Sequence, residues 1–350
     1  MTVAGLERSL FDRDAVAAMI AAGEALILAG EEHLLASLPA GRWIGGTIPY
    51  FMTAEAGIGG TIPYFMTAEA GGTFDRERLF VQRLPQGASV HWQGLLDRDA
   101  LPRLDATGPD NGYTVILMPS QSEVHRDFAL HAIEWPGLFR RPLVGWVTGV
   151  ALDQVGIDTP RVFDGATATA SADRAVVMHV ALPDDRHARV DIVNLFTQAD
   201  GPALTFDEGD GGFTVEHVNV DGVRRRLVDH LAEQGIDTRL PLVADYNGAM
   251  INVAIANIDA ATGRVTFFAP AFPGTIYRFA APVEDYERAF AAQIAPRTGD
   301  LAFGCNCILN YNYAGLEGRH TGDVTGPMSF GEIAYILLTQ TLVYLTIERD

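Results

Sequence analysis

The sequence predicts an α+β protein in which two similar halves, each a mixture of sheet and helix, pack as one layered α/β body. Three observations predict this class. Short β-branched or aromatic runs bounded by Gly and Pro recur along the chain and are typical of strands. Segments with apolar residues at helical spacing lie between them. A polar break at Pro183–His187 divides the pattern, and the second stretch starts afresh after it.

Strands are predicted on both sides of this break. In the first half they are Trp43–Met52, Arg78–Leu84, Tyr113–Met118, Pro142–Gly149, Arg161–Phe163 and Ala175–Leu182. In the second half they are Asp191–Phe196, Ala203–Glu208, Phe213–Val218, Met250–Ile258, Val265–Ala269, Ile276–Ala280, Leu301–Phe303 and Leu342–Ile347. The Gly-rich segment Glu208–Gly212 is expected to be the hairpin turn between two of them.

Helices are predicted from apolar spacing. They are Asp12–Leu38, Val124–Trp135, Val223–Gln234, Val283–Ala295 and Ser329–Thr339. The expected organisation is therefore an N-terminal helix in residues 1–39, a first domain in residues 40–187 and a second domain in residues 188–350.

The composition excludes several classes of function. The 350 residues carry 44 acidic and 25 basic side chains, for a formal net charge of −19. Because such a surface repels a polyphosphate backbone, nucleic acid is not expected as a partner. All 25 basic residues are Arg. Without Lys, the chain has no Schiff-base lysine, phosphate-loop lysine or kinase lysine.

The sequence favours a cytoplasmic protein. Its N-terminus has no basic region followed by an apolar stretch, as a secretory signal would. The longest apolar stretch, Ala15–Gly30, is interrupted by Glu24 and is too short to cross a bilayer, so no membrane partner is expected. Two Cys residues in a Cys-x-Cys pair fit free thiols in a reducing compartment. The oligomeric state is left open.

An exact repeat dominates the first hundred residues. Residues 44–57 are followed at once by an identical copy, residues 58–71. Two copies of this length do not make a solenoid. A tandem duplication or a deliberate variant explains the identity, and an enlarged loop at a ligand site is the functional alternative. One copy fills any given strand position, and the sequence does not say which copy does so.

The Cys-x-Cys pair Cys305 and Cys307 is the strongest candidate for a chemically active site in the sequence. In an extended strand the two thiols lie on the same face and could address one ligand or one soft metal. A metal would need further His or carboxylate ligands, which the sequence does not identify. Three interpretations stay open: small buried structural thiols, a reactive or ligand-sensing thiol that could serve an enzyme, and a metal site.

Other motifs favour structural interpretations. The chain lacks the common hydrolase, zinc-protease, redox and phosphate-loop signatures. The segment containing Ser120, Ser122, His125 and Asp127 is predicted to be a loop leading into a capped helix and not a catalytic triad. Thr2 is explained by ordinary removal of the initiating Met. The run Arg224–Arg226 is predicted to be a solvated helix face.

With these segments in order, the chain resembles the FIST family, named for F-box and intracellular signal transduction proteins, over about residues 40–345. In the first half the resemblance rests on Trp43-Ile-Gly-Gly-Thr47 and Leu143-Val-Gly-Trp-Val-Thr-Gly149. In the second half it rests on Gly201–Thr205, Val220–Gly222, Phe303-Gly-Cys305, Gly326–Ala334 and Gln340–Tyr344. Departures include Trp146 in place of a usual Gly and the second thiol, Cys307.

The resemblance implies a sensor that binds a small molecule such as an amino acid and signals through a separate protein partner. The implied ligand-binding residues are Gly45, Gly46, Thr47, Gly145, Trp146, Cys305, Asn306 and Glu332. Some similar proteins are haem-containing gas sensors, so haem is a possible cofactor, although the sequence does not choose an axial ligand. An enzyme that uses Cys305 or Cys307 as nucleophile or metal ligand is the alternative.

Overall fold

The computed structural model describes residues 9–56, 70–246, 248–294, 299–319 and 321–349, and these form an α+β fold, as predicted. The helices are short and stand between strands. They are α1 (Arg13–Ala21), α2 (Glu32–Ala36), α3 (Glu123–His131), α4 (Leu227–Gln234), α5 (Tyr286–Gln293) and α6 (Ile308–Ala314).

Strands carry most of the architecture. Up to residue 193 they are β1 (Leu10–Phe11), β2 (Leu26–Gly30), β3 (Trp43–Thr47), β4 (Tyr50–Ala56), β5 (Ala70–Phe74), β6 (Leu79–Arg83), β7 (Ser89–Leu96), β8 (Gly112–Pro119), β9 (Leu143–Thr148), β10 (Val162–Asp164), β11 (Thr169–Ser171), β12 (Ala175–Ala181) and β13 (Arg186–Val193). Beyond it they are β14 (Leu204–Thr205), β15 (Gly212–Val215), β16 (His217–Val220), β17 (Val223–Arg226), β18 (Leu242–Tyr246), β19 (Ala249–Val253), β20 (Ile255–Asp259), β21 (Arg264–Ala271), β22 (Tyr277–Phe279), β23 (Asp300–Cys307), β24 (Gly326–Ser329), β25 (Glu332–Ala334), β26 (Ile336–Leu338) and β27 (Leu342–Arg349).

The strands of the described residues form four six-stranded sheets and one three-stranded sheet. Sheet I has the order β1-β6-β2-β3-β10-β11, sheet II β26-β25-β9-β8-β12-β7, sheet III β13-β27-β23-β24-β4-β5, sheet IV β17-β16-β14-β22-β18-β19 and sheet V β15-β21-β20. Sheets II and III each combine strands from before and after the break at Pro183–His187. The two predicted domains therefore share sheets, and the division into similar halves stays a prediction.

The predicted N-terminal helix Asp12–Leu38 is wrong. Gly23, at φ +85°, follows α1, and the run Leu26–Gly30 is the fully buried strand β2 before α2 begins. A parallel strand covered on both faces is apolar at every position, so its residues also satisfy helical spacing. For this reason α1, β2 and α2 were together predicted as one helix.

Three predictions in the second half are also wrong. Ser329–Thr339 is not a helix, because it contains β25 and β26 joined at Tyr335, whose φ is +65°. The segment 223–234 begins with strand β17, so the arginine run lies on a strand and not on a helix. Strand β14 pairs with β16, and β15 pairs with β21, so Glu208–Gly212 does not close a hairpin.

The first copy of the repeat occupies the sheet position. Residues 44–47 lie in β3 beside β2, and Tyr50–Ala56 form β4, whereas most of the second copy lies outside the described residues. The sequence before each copy explains the choice. Trp43 precedes the first copy and is buried, with its indole Nε1 donating to the carbonyl of Pro39 at 2.9 Å. Gly57 precedes the second copy and could not replace that packing.

Sheets I, II and III meet in the central core, which contains Ile44, Phe51, Trp146, Phe303 and Cys305. Two parallel strand pairs, β2 with β3 and β8 with β9, cross this region. Parallel strands bring their carboxyl ends to the same edge of a sheet, which is where open α/β sheets bind ligands. In the described ranges, no helix is long and apolar enough to span a membrane.

Candidate functional site

A cleft of about 300 Å³ lies at the carboxyl ends of β2, β3 and β9. We call it the strand-end cleft. Its walls include Gly30, Thr47 and Gly149, which end or follow these three strands, together with charged residues from the flanking segments. The backbone N–H of Gly149 donates to the carbonyl of Thr47 at 2.9 Å, which joins sheet II to sheet I at the cleft.

Gly149 cannot carry a side chain here. A Cβ atom at this position would lie 2.0 Å from the ring of Phe330. The absence of a side chain therefore allows the chain to leave β9 in close contact with Phe330. This steric reason explains one of the two glycines in the segment Leu143–Gly149.

Two ion pairs give the strand-end cleft a mixed charge. The Nε atom of Arg76 lies 2.7 Å from Oε1 of Glu31, and the Nε atom of Arg161 lies 2.9 Å from Oε1 of Glu32. The hydrogen bond with Glu31 raises the pKa of Arg76 above its ordinary value. Asp158 adds a further carboxylate to the wall. The cleft therefore presents cationic and anionic groups to the same small volume.

Thr47 positions one of these arginines. Its backbone N–H donates to the carbonyl of Arg161 at 3.0 Å, and its Oγ1 accepts from the N–H of Arg161 at 3.0 Å. These two bonds fix the backbone from which the guanidinium extends. Thr47 is thus the predicted ligand-binding residue that lines a cleft, and it acts on Arg161 through the backbone.

The cleft is not lined by Gly45, Gly46, Gly145 or Trp146. Gly46 meets Trp146 in the contact between sheets I and II, whereas Gly45 faces Leu35 of α2. A Cβ atom on Gly46 would lie 2.5 Å from Cγ2 of Thr148 and 3.3 Å from Nε1 of Trp146. A Cβ atom on Gly145 would lie 1.8 Å from the carbonyl oxygen of Ile116 in the neighbouring strand. These glycines allow close packing of strands and do not expose backbone to the cleft.

Glu332 lies deeper in the core and is fully buried. Its Oε1 accepts from the hydroxyl of Ser329 at 2.8 Å, and its Oε2 accepts from the N–H and hydroxyl of Thr341 at 3.0 and 2.9 Å. Burial raises the pKa of Glu332 to about 7 despite these donors. Through these bonds Glu332 of β25 joins the end of β24 to the residue that precedes β27. Its carboxyl group therefore has a structural role in holding these strands together.

Cys305 and Cys307 lie on β23, which continues four residues beyond the predicted strand Leu301–Phe303. Both thiols are buried, and Sγ of Cys305 donates to the carbonyl of Gly145 at 3.5 Å. Burial raises the pKa of each thiol well above its ordinary value, so both are protonated at neutral pH. This buried environment favours the neutral thiol over the thiolate that a nucleophile needs.

Asn306 holds the turn from β23 into α6. Its Oδ1 accepts from the N–H of Cys307 at 2.7 Å and from Nδ2 of Asn310 at 3.0 Å. Among the residues that the structure describes, no group of three or more His, Cys, Asp or Glu side chains is placed to hold a metal ion. The hydroxyl of Ser329 links Asn306 to Glu332, and Cys305 precedes Asn306 on β23. None of these three predicted residues lines the strand-end cleft.

Two other sequence interpretations can be placed. Ser122 caps α3, because its Oγ accepts from the N–H of His125 at 3.3 Å, which confirms a loop leading into a capped helix. Arg224 pairs with Asp207 and Asp210, and Arg225 pairs with Glu233. These carboxylates neutralise the arginine run. Thr2 lies outside the described residues.

A second cleft, of about 450 Å³, lies between the segments 237–240, 282–287 and 313–319. Its wall includes Asp237, Arg239, Tyr286 and Tyr313. Neither cleft is lined by His, Cys or Met, the side chains that ligate haem iron most often. The strand-end cleft therefore offers no haem axial ligand, and the second cleft offers only the tyrosines Tyr286 and Tyr313.

Sequence reasoning missed the five charged residues of the strand-end cleft: Glu31, Glu32, Arg76, Asp158 and Arg161. Glu31 and Glu32 were hidden because β2 and α2 were merged into one predicted helix. An acidic pair directly after a buried apolar run is the signal that could have identified them. Arg76 lies between β5 of sheet III and β6 of sheet I, and Arg161 precedes β10 of sheet I. Both reach the cleft through long-range strand pairing, for which the sequence carries no local signal.

The model of a family described as a family of unknown function, DUF6976, matches residues 11–58 and 56–348. The two matched segments overlap at residues 56–58, where the first copy of the repeat ends and the second begins. No curated protein and no solved structure gives a significant match to the chain.

Proposed function

The chain belongs to DUF6976, a family of unknown function, and we propose from its site that it is a sensor that binds a small polar molecule in the strand-end cleft. The observation that carries this proposal is the convergence of three strand ends on one cleft that holds Arg76 and Arg161 beside Glu31, Glu32 and Asp158. The FIST resemblance of the sequence supports the same class of function.

The charge arrangement favours a zwitterion, such as an amino acid. Arg161 and Arg76 can bind a carboxylate, and guanidinium groups do so with two parallel hydrogen bonds. Glu31, Glu32 and Asp158 can accept from an ammonium group. A purely anionic ligand would be repelled by three carboxylates and attracted by only two arginines. A zwitterion can pair its carboxylate with an arginine and its ammonium group with a carboxylate of the cleft. The cleft volume of about 300 Å³ suits a molecule of this size.

Signalling through a separate protein in the cytoplasm completes the proposal. The loop after Gly149 exposes Leu152, Val155 and Ile157, which are 40%, 46% and 74% accessible. Ile157 also lines the cleft, so a change in the cleft would reach this apolar surface directly. Exposed apolar side chains beside a ligand site are suited to contact with a protein partner.

Binding of the twenty standard L-amino acids, measured by thermal shift and then by calorimetry, tests the proposal. We expect at least one to bind the wild-type chain and to bind Arg161→Ala about 10- to 100-fold more weakly, because a charge-assisted hydrogen bond is lost. Arg264→Ala is the matched control, since Arg264 pairs with Glu216 on an exposed surface away from the cleft. Absence of binding, or equal loss in both variants, contradicts the proposal.

A further inference from the structure

Strand β13 forms one edge of sheet III. Among the residues that the structure describes, it pairs with β27 alone, over eight consecutive residues and without a register shift. Every second backbone N–H and C=O group of β13 therefore points away from the sheet, and such groups are a template for pairing with another strand. The carbonyl of Arg186 already accepts from Nδ2 of Asn111 at 3.0 Å. We call residues 188–192, which lie beyond it, the β13 edge.

The β13 edge lacks the features by which sheet edges usually avoid such pairing, which include short length, bulges, Pro and charges that point inward. The other edge strands in the described ranges have at most five residues, except β7, whose pairing with β12 shifts register between His179 and Val180. β13 contains no Pro, and its residues that pack on the core are the apolar Ala188 and Val190. The β13 edge is therefore a long, regular edge that another strand can extend.

The two faces of the β13 edge carry different side chains. Ala188, Val190 and Ile192 alternate along one face, and Ile192 is 46% accessible although its neighbours on that face pack on the core. Arg189 and Asp191 lie on the other face, with Nη2 of Arg189 3.0 Å from Oδ1 of Asp191. The side chains of this ion pair are 57% and 25% accessible, so both can also reach a neighbouring strand.

A second copy of β13 can pair with this edge only in certain registers. Directly opposed residues place their side chains on the same side of the sheet, so antiparallel pairing of identical strands puts one residue on the two-fold axis. With Arg189 or Asp191 on the axis, a charged side chain faces its own counterpart, which is unfavourable. With Val190 on the axis, Arg189 faces Asp191 of the second copy at both ends, and Ile192 faces Ala188 of the second copy.

We propose that the β13 edge binds the β13 edge of a second copy in the register with Val190 on the axis, so that two copies of sheet III become one continuous sheet. The pairing supplies partners for the outward N–H and C=O groups, forms two oppositely charged pairs and covers Ile192. β13 carries Arg186 and Arg189 against Asp191 in a chain of net charge −19, so two copies repel each other less here than over their average surface. This surface lies outside the strand-end cleft, and the inference does not rest on the proposed function.

Charge reversal, measured by sedimentation velocity, tests the proposed register. The wild-type chain should dimerise with a Kd between about 1 and 100 µM, because a strand pairing of this length is smaller than a standard interface. Asp191→Arg makes Arg189 face an arginine at both ends and should weaken the dimer at least about tenfold. The double variant Arg189→Asp with Asp191→Arg restores two oppositely charged pairs and should return the Kd to within about threefold of the wild-type value.

Glu216→Arg is the matched control. It changes the net charge as much as Asp191→Arg does and also breaks an exposed ion pair, that of Glu216 with Arg264, but it lies outside sheet III. The dimer Kd should therefore stay at the wild-type value. Exposed ion pairs contribute little to stability, so far-UV circular dichroism should be the same for all of these variants.

Hydrogen exchange of the wild-type chain gives a second readout that needs no variant. Amides of residues 188–192 that point away from β27 should exchange more slowly at concentrations well above the Kd than well below it. A chain that stays monomeric up to about 500 µM overturns the inference, since this concentration exceeds the expected Kd. A dimer that Asp191→Arg does not weaken, that the double variant does not restore, or that leaves these amides unprotected also overturns it.

Discussion

At the scale of single residues, Glu332 couples folding to pH. Its folded-state pKa of about 7 lies above the ordinary value of 4.5, because burial disfavours the charged form. The folded chain therefore holds this proton more tightly than the unfolded chain does. The resulting stabilisation is complete below pH 4.5 and is lost as the pH rises through 7.

Urea unfolding between pH 4.5 and pH 8 measures this effect. The wild-type chain should lose about 3 kcal/mol of unfolding free energy over that range through Glu332. Glu332→Gln should show a flatter slope, and the slope is the readout because the amide also changes the hydrogen bonds to Thr341. Glu317→Gln, at an exposed position, should keep the wild-type slope. A slope in Glu332→Gln equal to that of the wild-type chain would show that Glu332 is not the titrating group.

At the scale of elements, the first copy of the repeat contributes to the core. Phe51 is fully buried and stacks on Phe80 at 5.9 Å, whereas its counterpart in the second copy is Phe65. Phe51→Ala should therefore lower the unfolding free energy by about 3–5 kcal/mol. Phe65→Ala should leave it unchanged within about 0.5 kcal/mol.

Chemical denaturation of the two single variants and the double variant measures this difference. Since Trp43 precedes only the first copy, the second copy cannot take over the position without loss of the Trp43 packing. The double variant should therefore resemble Phe51→Ala. A loss of stability in Phe65→Ala with none in Phe51→Ala would mean that the second copy occupies the sheet.

Local sequence patterns correctly predicted strands where β-branched and aromatic residues stand between turn residues. The runs at Arg78–Leu84, Tyr113–Met118 and Leu342–Ile347 are the strands β6, β8 and β27, because β-branched and aromatic residues bounded by turn residues have no good helical alternative. The helix prediction for Ser329–Thr339 was wrong because Tyr335 adopts a positive φ, which is uncommon for tyrosine. Propensity gives no signal for such a turn.

At the scale of the whole molecule, shared sheets determine where the site lies. Strands β4 and β5 pair within sheet III beside β24, and β25 pairs with β9 in sheet II, so distant parts of the chain are held in register. Within sheet I, β10 pairs with β3 and so brings Arg161 to the end of β3, while β6 pairs with β2 and so brings Arg76 close to the end of β2. Thr47 was implied by the resemblance of Trp43–Thr47 to the FIST family, but the charged walls depend on pairings that only the fold supplies.

The most direct test of the account is a crystal structure of the wild-type chain with the amino acid that binds most tightly. We expect its density in the strand-end cleft, with a charged group within hydrogen-bonding distance of Arg161 or Arg76. Density confined to the second cleft beside Tyr313, with the strand-end cleft empty, would contradict the central claim.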